Sequence, residues 1–148
     1  MDFRVAGRAH GFSLIELLVA LAVVGVLAGL AYPSYTSHVE RAHRAQARAA
    51  LLEAAQYLER YYVANNTYAT AVLPVALQTS PPGASGVDIR YRLSVEVTAT
   101  GYKVIATNAT LRGGCDTLSL DHRGVRQATQ RGIDGNVSTA EIATACWR

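Results

Sequence analysis

The feature that most constrains this chain is an apolar run close to its N-terminus. Residues 17–31 read LLVALAVVGVLAGLA and contain no polar side chain. As a helix, the stretch from Phe12 to Tyr32 would be about 31 Å long, which is enough to cross the hydrocarbon core of a bilayer. Any fold of this chain therefore has to place an apolar helix in a membrane or against other apolar surfaces.

The run alone leaves three interpretations open. It can be a secretory signal peptide with a small-x-small cleavage site at Gly29–Ala31, a permanent transmembrane helix, or a buried core helix. Glu16 distinguishes among them, because a carboxylate within hydrocarbon costs on the order of a few kcal/mol. A signal peptide or a plain anchor has no use for that charge. Glu16 therefore has either a function in the membrane or a place at the interface, where the helix dipole favours an acid.

The residues around this acid carry a resemblance to a known family. Gly11 to Glu16 read GFSLIE and, with the apolar run behind them, resemble the prepilin motif of type IV pilins and pseudopilins. The resemblance implies that a prepilin peptidase cuts between Gly11 and Phe12 and methylates the new amine of Phe12. It also implies a role in subunit assembly for Glu16, which would meet the N-terminal amine of a neighbouring subunit. Physical chemistry agrees, because a carboxylate in an apolar filament core needs a cation beside it.

Small residues and a proline mark the second part of the apolar helix. Gly25 and Gly29 can form a close helix-packing face, or can be ordinary small residues of a membrane helix. Pro33 removes one backbone hydrogen bond and should kink the helix. By resemblance to the pilins, Gly25 and Pro33 bracket a stretch that can unwind in the filament.

The helical pattern resumes after the proline and continues to about Asn65. Leu51, Ala55, Leu58 and Tyr62 recur at the spacing of one helix face, which predicts a face that covers a sheet. A helix of the total length would span roughly 80 Å, far more than an ordinary globular helix. Its apolar first half should therefore project from the domain.

The remainder of the chain predicts an antiparallel sheet. A loop at residues 66–87 precedes a strict alternation of apolar and polar residues, which indicates a half-buried strand. The expected fold is α+β: a long N-terminal helix packed in its second half on a four-stranded antiparallel sheet, as in the pilin fold. The predicted strands lie at residues 89–97, 102–107, 118–120 and 125–129, with turns at 98–101 and 121–124.

The chain has two cysteines, Cys115 and Cys146. In an exported protein such a pair predicts one disulfide, whereas in a cytosolic protein it predicts two free thiols. The resemblance implies export, and in type IVa pilins such a pair closes a loop beside the sheet. The tyrosine-rich end of the helix and the final residues CWR are similar to those of PilE-type minor pilins.

The predicted organisation is a leader peptide at 1–11, a hydrophobic transmembrane or filament-core helix at 12–36 and a globular domain at 37–148. The resemblance places the chain in the bacterial inner membrane, with its C-terminal domain in the periplasm, and afterwards in the extracellular pilus. This orientation rests on the motif and on the cysteine pair. The arginines do not support it, because two precede the apolar run and three soon follow it, against the positive-inside rule.

The sequence lacks the known motifs of catalytic, phosphate-binding and calcium-binding sites. It contains no phosphate-binding loop, nucleophile elbow, paired-acid site or calcium loop. His38 and His43 are five residues apart, off the four-residue spacing at which two helical histidines share a metal. We therefore expect a protein that is not an enzyme and that uses no metal or other cofactor.

Three functions remain. The leading one is a structural subunit of a type IV pilus, a minor rather than a major pilin, which serves pilus assembly and so twitching motility and adhesion. Its partners would be other pilin subunits, the prepilin peptidase and the inner-membrane assembly machinery. The first alternative is a type II secretion pseudopilin, against which the cysteine pair and the tyrosine-rich helix end both count.

The second alternative is a pilus-associated subunit that binds DNA for uptake. The net charge of +3 is too small to indicate nucleic acid by itself. A DNA site would need its basic residues on one face together with stacking aromatic rings. The candidate basic residues are Arg90, Arg92, Lys103, Arg112, Arg123, Arg126 and Arg131.

The motif makes a direct prediction about processing. The mature protein should begin at Phe12, carry a methylated amine and retain the apolar run. Intact-mass and N-terminal analysis of membrane fractions measures both features. A mature N-terminus at Tyr32 would mean signal-peptide cleavage and would contradict the pilin interpretation.

Overall fold

A computed structural model describes residues 12–110, 114–130 and 139–148. The chain divides into two compact units, Met1–Thr36 and Ser37–Arg148. The predicted leader with Gly11, and the candidate basic residues Arg112 and Arg131, lie outside the described residues. The elements are α1 (Leu14–Asn65), β1 (Thr79–Ser80), β2 (Tyr91–Val97), β3 (Tyr102–Asn108), β4 (Cys115–Asp121), β5 (Arg126–Gln130) and α2 (Thr139–Trp147), with short 3-10 turns at Val75–Leu77 and Gly86–Asp88.

The long helix α1 contains 52 residues and is continuous. Its first turn closes on the Ser13 carbonyl, which accepts hydrogen bonds from the amides of Glu16 and Leu17. It ends where predicted, because Asn66 adopts a left-handed φ of 57° and its amide bonds to the Tyr62 carbonyl at 2.7 Å. Asparagine tolerates that conformation better than other non-glycine residues and so can terminate a helix.

The five strands form one antiparallel sheet in sequence order, β1-β2-β3-β4-β5. The four predicted strands are confirmed as β2 to β5. The predicted number of strands was one too few, because β1 adds two residues that pair Thr79 with Arg92 and Ser80 with Tyr91. Two residues inside a proline-rich loop give no alternation that a sequence could reveal.

The core of the second unit lies between α1 and the sheet. The predicted helix face is confirmed, since Leu51 and Leu58 are fully buried and Ala55 nearly so. Each fully buried Leu or Val stabilises the fold by roughly 1.5–3 kcal/mol. The inward side chains of the sheet are Tyr91, Leu93, Tyr102, Val104, Ala106, Leu118, Leu120 and Ala128.

The turn between β4 and β5 is held by Asp121. Its Oδ1 accepts hydrogen bonds from the amides of Arg123 at 2.9 Å and Val125 at 2.8 Å. Gly124 supplies a left-handed φ of 80°, as a tight turn requires. Burial raises the pKa of Asp121, but the two amides and the Arg123 guanidinium outweigh it, so that the pKa lies below its usual value.

The helix α2 was not predicted. It packs against β5 and more lightly against β4, and its Ile142 and Trp147 contact the core. Cys146 of α2 is joined to Cys115 of β4, with the two Cα atoms 6.0 Å apart. Nine residues make only two and a half turns, which is too short for a clear helical period.

A hydrogen-bonded tyrosine cluster ties the end of α1 to β3. The carboxylate of Glu59 accepts hydrogen bonds from the hydroxyls of Tyr68 at 3.1 Å and Tyr102 at 2.9 Å. The Tyr68 ring stacks on Tyr62 and meets Tyr102 edge-on, with centroids 4.6 and 5.1 Å apart. Burial, and then the bond to Glu59, raises the pKa of Tyr68 and Tyr102, and burial raises the pKa of Tyr91.

These shifts predict loss of stability in alkali. A tyrosine whose pKa is higher in the folded than in the unfolded chain stabilises the fold fully below about pH 10 and progressively less above it. We expect Tyr68, Tyr91 and Tyr102 to ionise at higher pH in the folded chain than in the unfolded chain. Phenolate absorbance and circular dichroism, followed together during an alkaline titration, measure this.

Tyr102→Phe is the control for that titration, since it removes one late-ionising hydroxyl while keeping the ring. It should remove one phenolate from the step that accompanies unfolding. If all eight tyrosines of the unmodified chain ionised before any loss of structure, the raised pKa values would be wrong.

Candidate functional site

The first half of α1 is apolar and exposed. Leu14, the first residue of the helix, is 74% exposed, and Phe12, just before it, is 78% exposed. By length and composition, α1 is apolar enough to cross a membrane. An exposed apolar surface of this extent marks an interaction site with lipid or protein. The other large apolar side chains exposed here are Ile15, Leu17, Leu18, Val19, Leu21, Val23, Val24, Val26 and Leu27.

The predicted assembly residue Glu16 lies in the first turn of α1. Its side chain is exposed, and no cation contacts its carboxylate within the described part of the chain. The helix dipole favours an acid at this end, by about 0.3–1 kcal/mol at most surface sites. Phe12 lies four residues before it, so the new amine expected at Phe12 and the Glu16 carboxylate would belong to the same end of the helix.

The predicted unwinding segment is helical in this structure. The helix α1 continues through both Gly25 and Pro33. A Cβ atom added at Gly25 or Gly29 would meet no other atom within 4 Å. Contacts inside the described chain therefore do not require glycine at either position.

The C-terminal residues are fixed to the domain at several points. Cys115 and Cys146, the predicted pair, are joined and both buried. The indole Nε1 of Trp147 donates to the Gln127 carbonyl at 3.0 Å. On α1, the guanidinium of Arg48 donates to the carbonyl of Arg148. These contacts attach α2 to β4, to β5 and to α1.

Within the described part of the chain, the basic residues singled out from the sequence do not all share one face. Lys103 lies directly opposite Glu96 on β2 and Asp121 on β4, so two acidic residues are its neighbours in the sheet. Arg92 projects to the same outer side of the sheet and is exposed. Arg126 lies instead on the inner side of the sheet, the side of β5 that carries Ala128. Its guanidinium carbon lies 5.2 Å from the ring centroid of Trp147.

The fold assembles a basic group of which the sequence analysis singled out only Arg126. We call Arg48, Arg126, Trp147 and Arg148 the C-terminal basic cluster. Arg48 contacts Arg148, which adjoins Trp147 in the chain, and Trp147 carries Arg126 on its ring. Arg48 and Arg148 are separated by 100 residues, so only tertiary structure brings them together.

The described residues contain no group of three or more His, Cys, Asp or Glu side chains that could hold a metal ion. His38 and His43 both lie on α1, and the His43 ring contacts Gln46 at 3.5 Å. The cleft between the two hairpin turns, about 300 Å³ in volume, is lined by acidic, basic and aromatic side chains. It includes Glu96, Lys103 and His122 but lacks a nucleophile with an adjacent base.

Two family models match the chain. One, described as "Prokaryotic N-terminal methylation motif", matches residues 7–32. The other, described as "Type IV minor pilin ComP, DNA uptake sequence receptor", matches residues 33–119. The second match covers more than half of the 148 residues.

Individual pilins are also similar to this chain. It is 31% identical over 77 residues to the type IV wide pilus major component PilA4 of Thermus thermophilus, covering 50% of this chain and 59% of that protein. The crystal structure of the Neisseria meningitidis non-core minor pilin PilV has a similar fold, with a TM-score of 0.50 at 20% identity over 70% of this chain and 95% of that one. A type IV pilin structure from Shewanella oneidensis gives a TM-score of 0.42 at 26% identity, over 67% of this chain and 98% of that one.

The sequence motif, the fold and the family matches agree. The GFSLIE motif at Gly11–Glu16 lies within the matched methylation motif, and a helix packed on an antiparallel sheet is the fold of the matched pilin PilV. This chain covers only 59% of the length of PilA4. The assignment to a family therefore depends on the family model that matches residues 33–119. This chain belongs to the type IV pilins, in the family described as type IV minor pilin ComP.

Proposed function

We propose that this chain is a minor structural subunit of a type IV pilus, acting in pilus assembly and so in twitching motility and adhesion. The observation that carries the proposal is the methylation-motif match at residues 7–32, joined to a helix whose large apolar side chains are exposed. Such a helix needs lipid before assembly and apolar neighbours afterwards. Pilins are structural proteins, so the proposal includes no enzymatic activity and no cofactor.

The proposed pathway starts with a leader at residues 1–11, which the prepilin peptidase removes between Gly11 and Phe12 before Phe12 is methylated. Residues 12–36 then hold the chain in the inner membrane, and residues 37–148 lie in the periplasm. The buried Cys115–Cys146 disulfide supports this orientation, because disulfides persist in oxidising compartments. The inner-membrane assembly machinery would transfer this form into the filament.

Two of the arginines that follow the membrane-spanning segment interact with other residues of the folded unit. Arg48 donates to the Arg148 carbonyl. Arg44 is half-buried; burial raises the pKa of Tyr91, while Arg44 opposes that shift. One of the three arginines that weigh against the orientation by charge alone therefore has a contact in the domain, and a second lies near enough to Tyr91 to affect its pKa.

In the filament, we propose that the Glu16 carboxylate pairs with the methylated amine of Phe12 from a neighbouring subunit. Within the described chain Glu16 has no cation, and burial against other apolar helices would leave its charge uncompensated. The amine recurs once in every subunit. The apolar helices thus provide the packing, and the ion pair would fix how far each subunit is inserted.

The unwinding of α1 between Gly25 and Pro33 is also a proposal for the filament. Glycine is about 1 kcal/mol less favourable than alanine within a helix, and proline removes a backbone donor. The segment between them is therefore the least costly part of the apolar helix to unwind. A Cβ atom added at Gly25 would meet no other atom within 4 Å. This supports the interpretation that glycine at this position serves the filament and is not required by contacts within the chain.

DNA binding is the second candidate function. The observation that favours it is the family model over residues 33–119, whose description names a DNA uptake sequence receptor. The outer face of the sheet does not favour it, because Lys103 lies between two acids in the strand register. DNA binding would be compatible with the pilus role.

The pilus proposal predicts the behaviour of Glu16→Val. The substitution removes a charge from the apolar helix, so membrane insertion should be retained, and the cleavage site at Gly11–Phe12 is unchanged. Incorporation should fail, because removing one partner of a buried ion pair costs about 3–5 kcal/mol, and 1.4 kcal/mol already changes an equilibrium tenfold. Immunoblots of membranes and of sheared pili measure the two pools.

Glu53→Val is the matched control, since Glu53 is an exposed acid of the same helix within the second unit. It removes the same charge but should leave incorporation unchanged. Entry of the Glu16→Val protein into pili at the unmodified level would rule out the ion-pair role. Loss of both variants from pili would indicate a general effect of charge.

The DNA-binding candidate predicts salt-dependent binding. The detergent-solubilised mature chain should bind a short DNA duplex at low salt and release it as salt increases, since phosphate contacts displace counterions. Fluorescence anisotropy of a labelled duplex measures the affinity. Absence of binding at low salt would remove this candidate and leave the pilus role intact.

A further inference from the structure

The sheet has an open edge along part of β2, on the side that faces away from β3. The strand runs from Tyr91 to Val97, but β1 pairs only with Tyr91 and Arg92. The Leu93 amide then donates to the Gln78 carbonyl at 2.8 Å. Beyond Leu93, none of the described strands lies on this side of β2.

The register shows which backbone groups point to the open edge. The Thr98 amide donates to the Gly101 carbonyl at 2.9 Å, where β2 turns into β3. Hydrogen bonding alternates along an antiparallel pair. The even-numbered residues of β2 therefore bond to β3, whereas Val95 and Val97 direct their N–H and C=O groups to the open edge. Among the described residues, none donates to these groups or accepts from them.

The preceding loop passes this edge without closing it. The Tyr68 amide donates to the Ala99 carbonyl at 3.2 Å at one end of the open stretch, and Gln78 is bonded at the other. An open groove of about 350 Å³ is lined by loop residues 71–73, by residues 93–95 of β2 and by Gln78. None of these side chains is charged. An unpaired sheet edge beside an uncharged groove is the arrangement to which an extended peptide adds as a further strand.

The charges on β2 restrict which strand can be added. Glu96 lies between the two open-edge residues and is exposed, and in the described chain no cation lies within ion-pair distance of its carboxylate. On the other side of β2, β3 places Lys103 opposite Glu96 and apolar residues opposite both of its neighbours. A partner strand with the same apolar–basic–apolar pattern would repeat this arrangement at the open edge.

A second copy of this chain is a poor partner for the same edge. Two β2 strands joined antiparallel through Val95 and Val97 of each would place the two Glu96 side chains directly opposite each other. Like charges directly opposite each other destabilise a sheet. The open edge therefore favours a strand from a different protein.

We propose that the open edge of β2 binds a short extended segment of another pilus protein. The segment places a basic side chain opposite Glu96 and apolar side chains opposite Val95 and Val97, and it continues along β2 the row that β1 begins. This inference rests on the proposed pilus role for the source of the segment. Its failure would leave that role intact, because the edge is tested on the purified chain.

Amide hydrogen exchange of the detergent-solubilised mature chain, followed residue by residue by NMR, tests whether the edge is open. The amides of Val95 and Val97 should exchange at least about tenfold faster than the amide of Glu96, which donates into the sheet. Equal protection of all three amides in the free chain would mean that the edge is already closed and would overturn the proposal.

Two capped peptides then test the partner. The probe is Gly-Thr-Val-Lys-Val-Thr-Gly, and its control has Glu in place of Lys. At saturation the probe should slow exchange at Val95 and Val97 and leave Glu96 unchanged. It should bind about two- to fivefold more tightly than the control, as expected for opposite charges paired across strands. The Glu96→Lys chain should reverse this preference.

Two valine variants test the groove. Val72→Asp places a charge in the groove and should weaken binding of the probe by about tenfold. Val87→Asp is the matched control, since Val87 is an exposed valine that does not line the groove, and it should bind the probe normally.

Three results would overturn the proposal. The probe could fail to protect Val95 and Val97, or the probe and its Glu control could bind equally well to the unmodified chain. The third result is protection that rises with chain concentration in the absence of peptide, together with dimers in sedimentation. It would identify a second copy of the chain as the occupant of the edge.

Discussion

The uncovered apolar half of α1 is the constraint on which the rest of the structure depends. Its large apolar side chains are exposed from Leu14 to Leu27, and their exposure to water is unfavourable. Lipid can cover them one chain at a time, and a filament can cover them with the same segment of other subunits. Glu16 is the one acidic side chain in that segment, and a carboxylate is costly in lipid. A cation supplied by a neighbour would therefore favour the filament over the membrane.

The second half of the same helix forms part of the hydrophobic core. Leu51, Leu58 and the alanines between them are buried against the sheet, so one face of α1 supplies much of the core of a small unit. A unit of this size buries only a limited apolar area. Hydrogen bonds and a disulfide therefore contribute to holding its elements together. Glu59 joins α1 to β3 through Tyr102, while Cys146 and Arg48 attach α2 to β4 and α1.

Local patterns predicted the elements that bury a regular face. The face through Leu51 and Leu58 and the alternation in β2 were readable because burial on one side imposes a period on the residues. β1 at Thr79–Ser80 escaped prediction because two residues cannot show a period. The C-terminal basic cluster escaped because Arg48 and Arg148 are 100 residues apart, and no local rule links them. The role of Glu16 could be proposed from the sequence because an acid within an apolar run is costly whatever tertiary structure the chain adopts.

The central claim is that this chain leaves the membrane as a subunit of the pilus. Quantitative mass spectrometry of sheared, purified pili tests it most directly, with the N-terminal peptide used to identify the mature form. We expect the chain to be present, to begin with methylated Phe12 and to be much less abundant than the main pilin. Absence from pili while the mature form accumulates in the inner membrane would contradict the account.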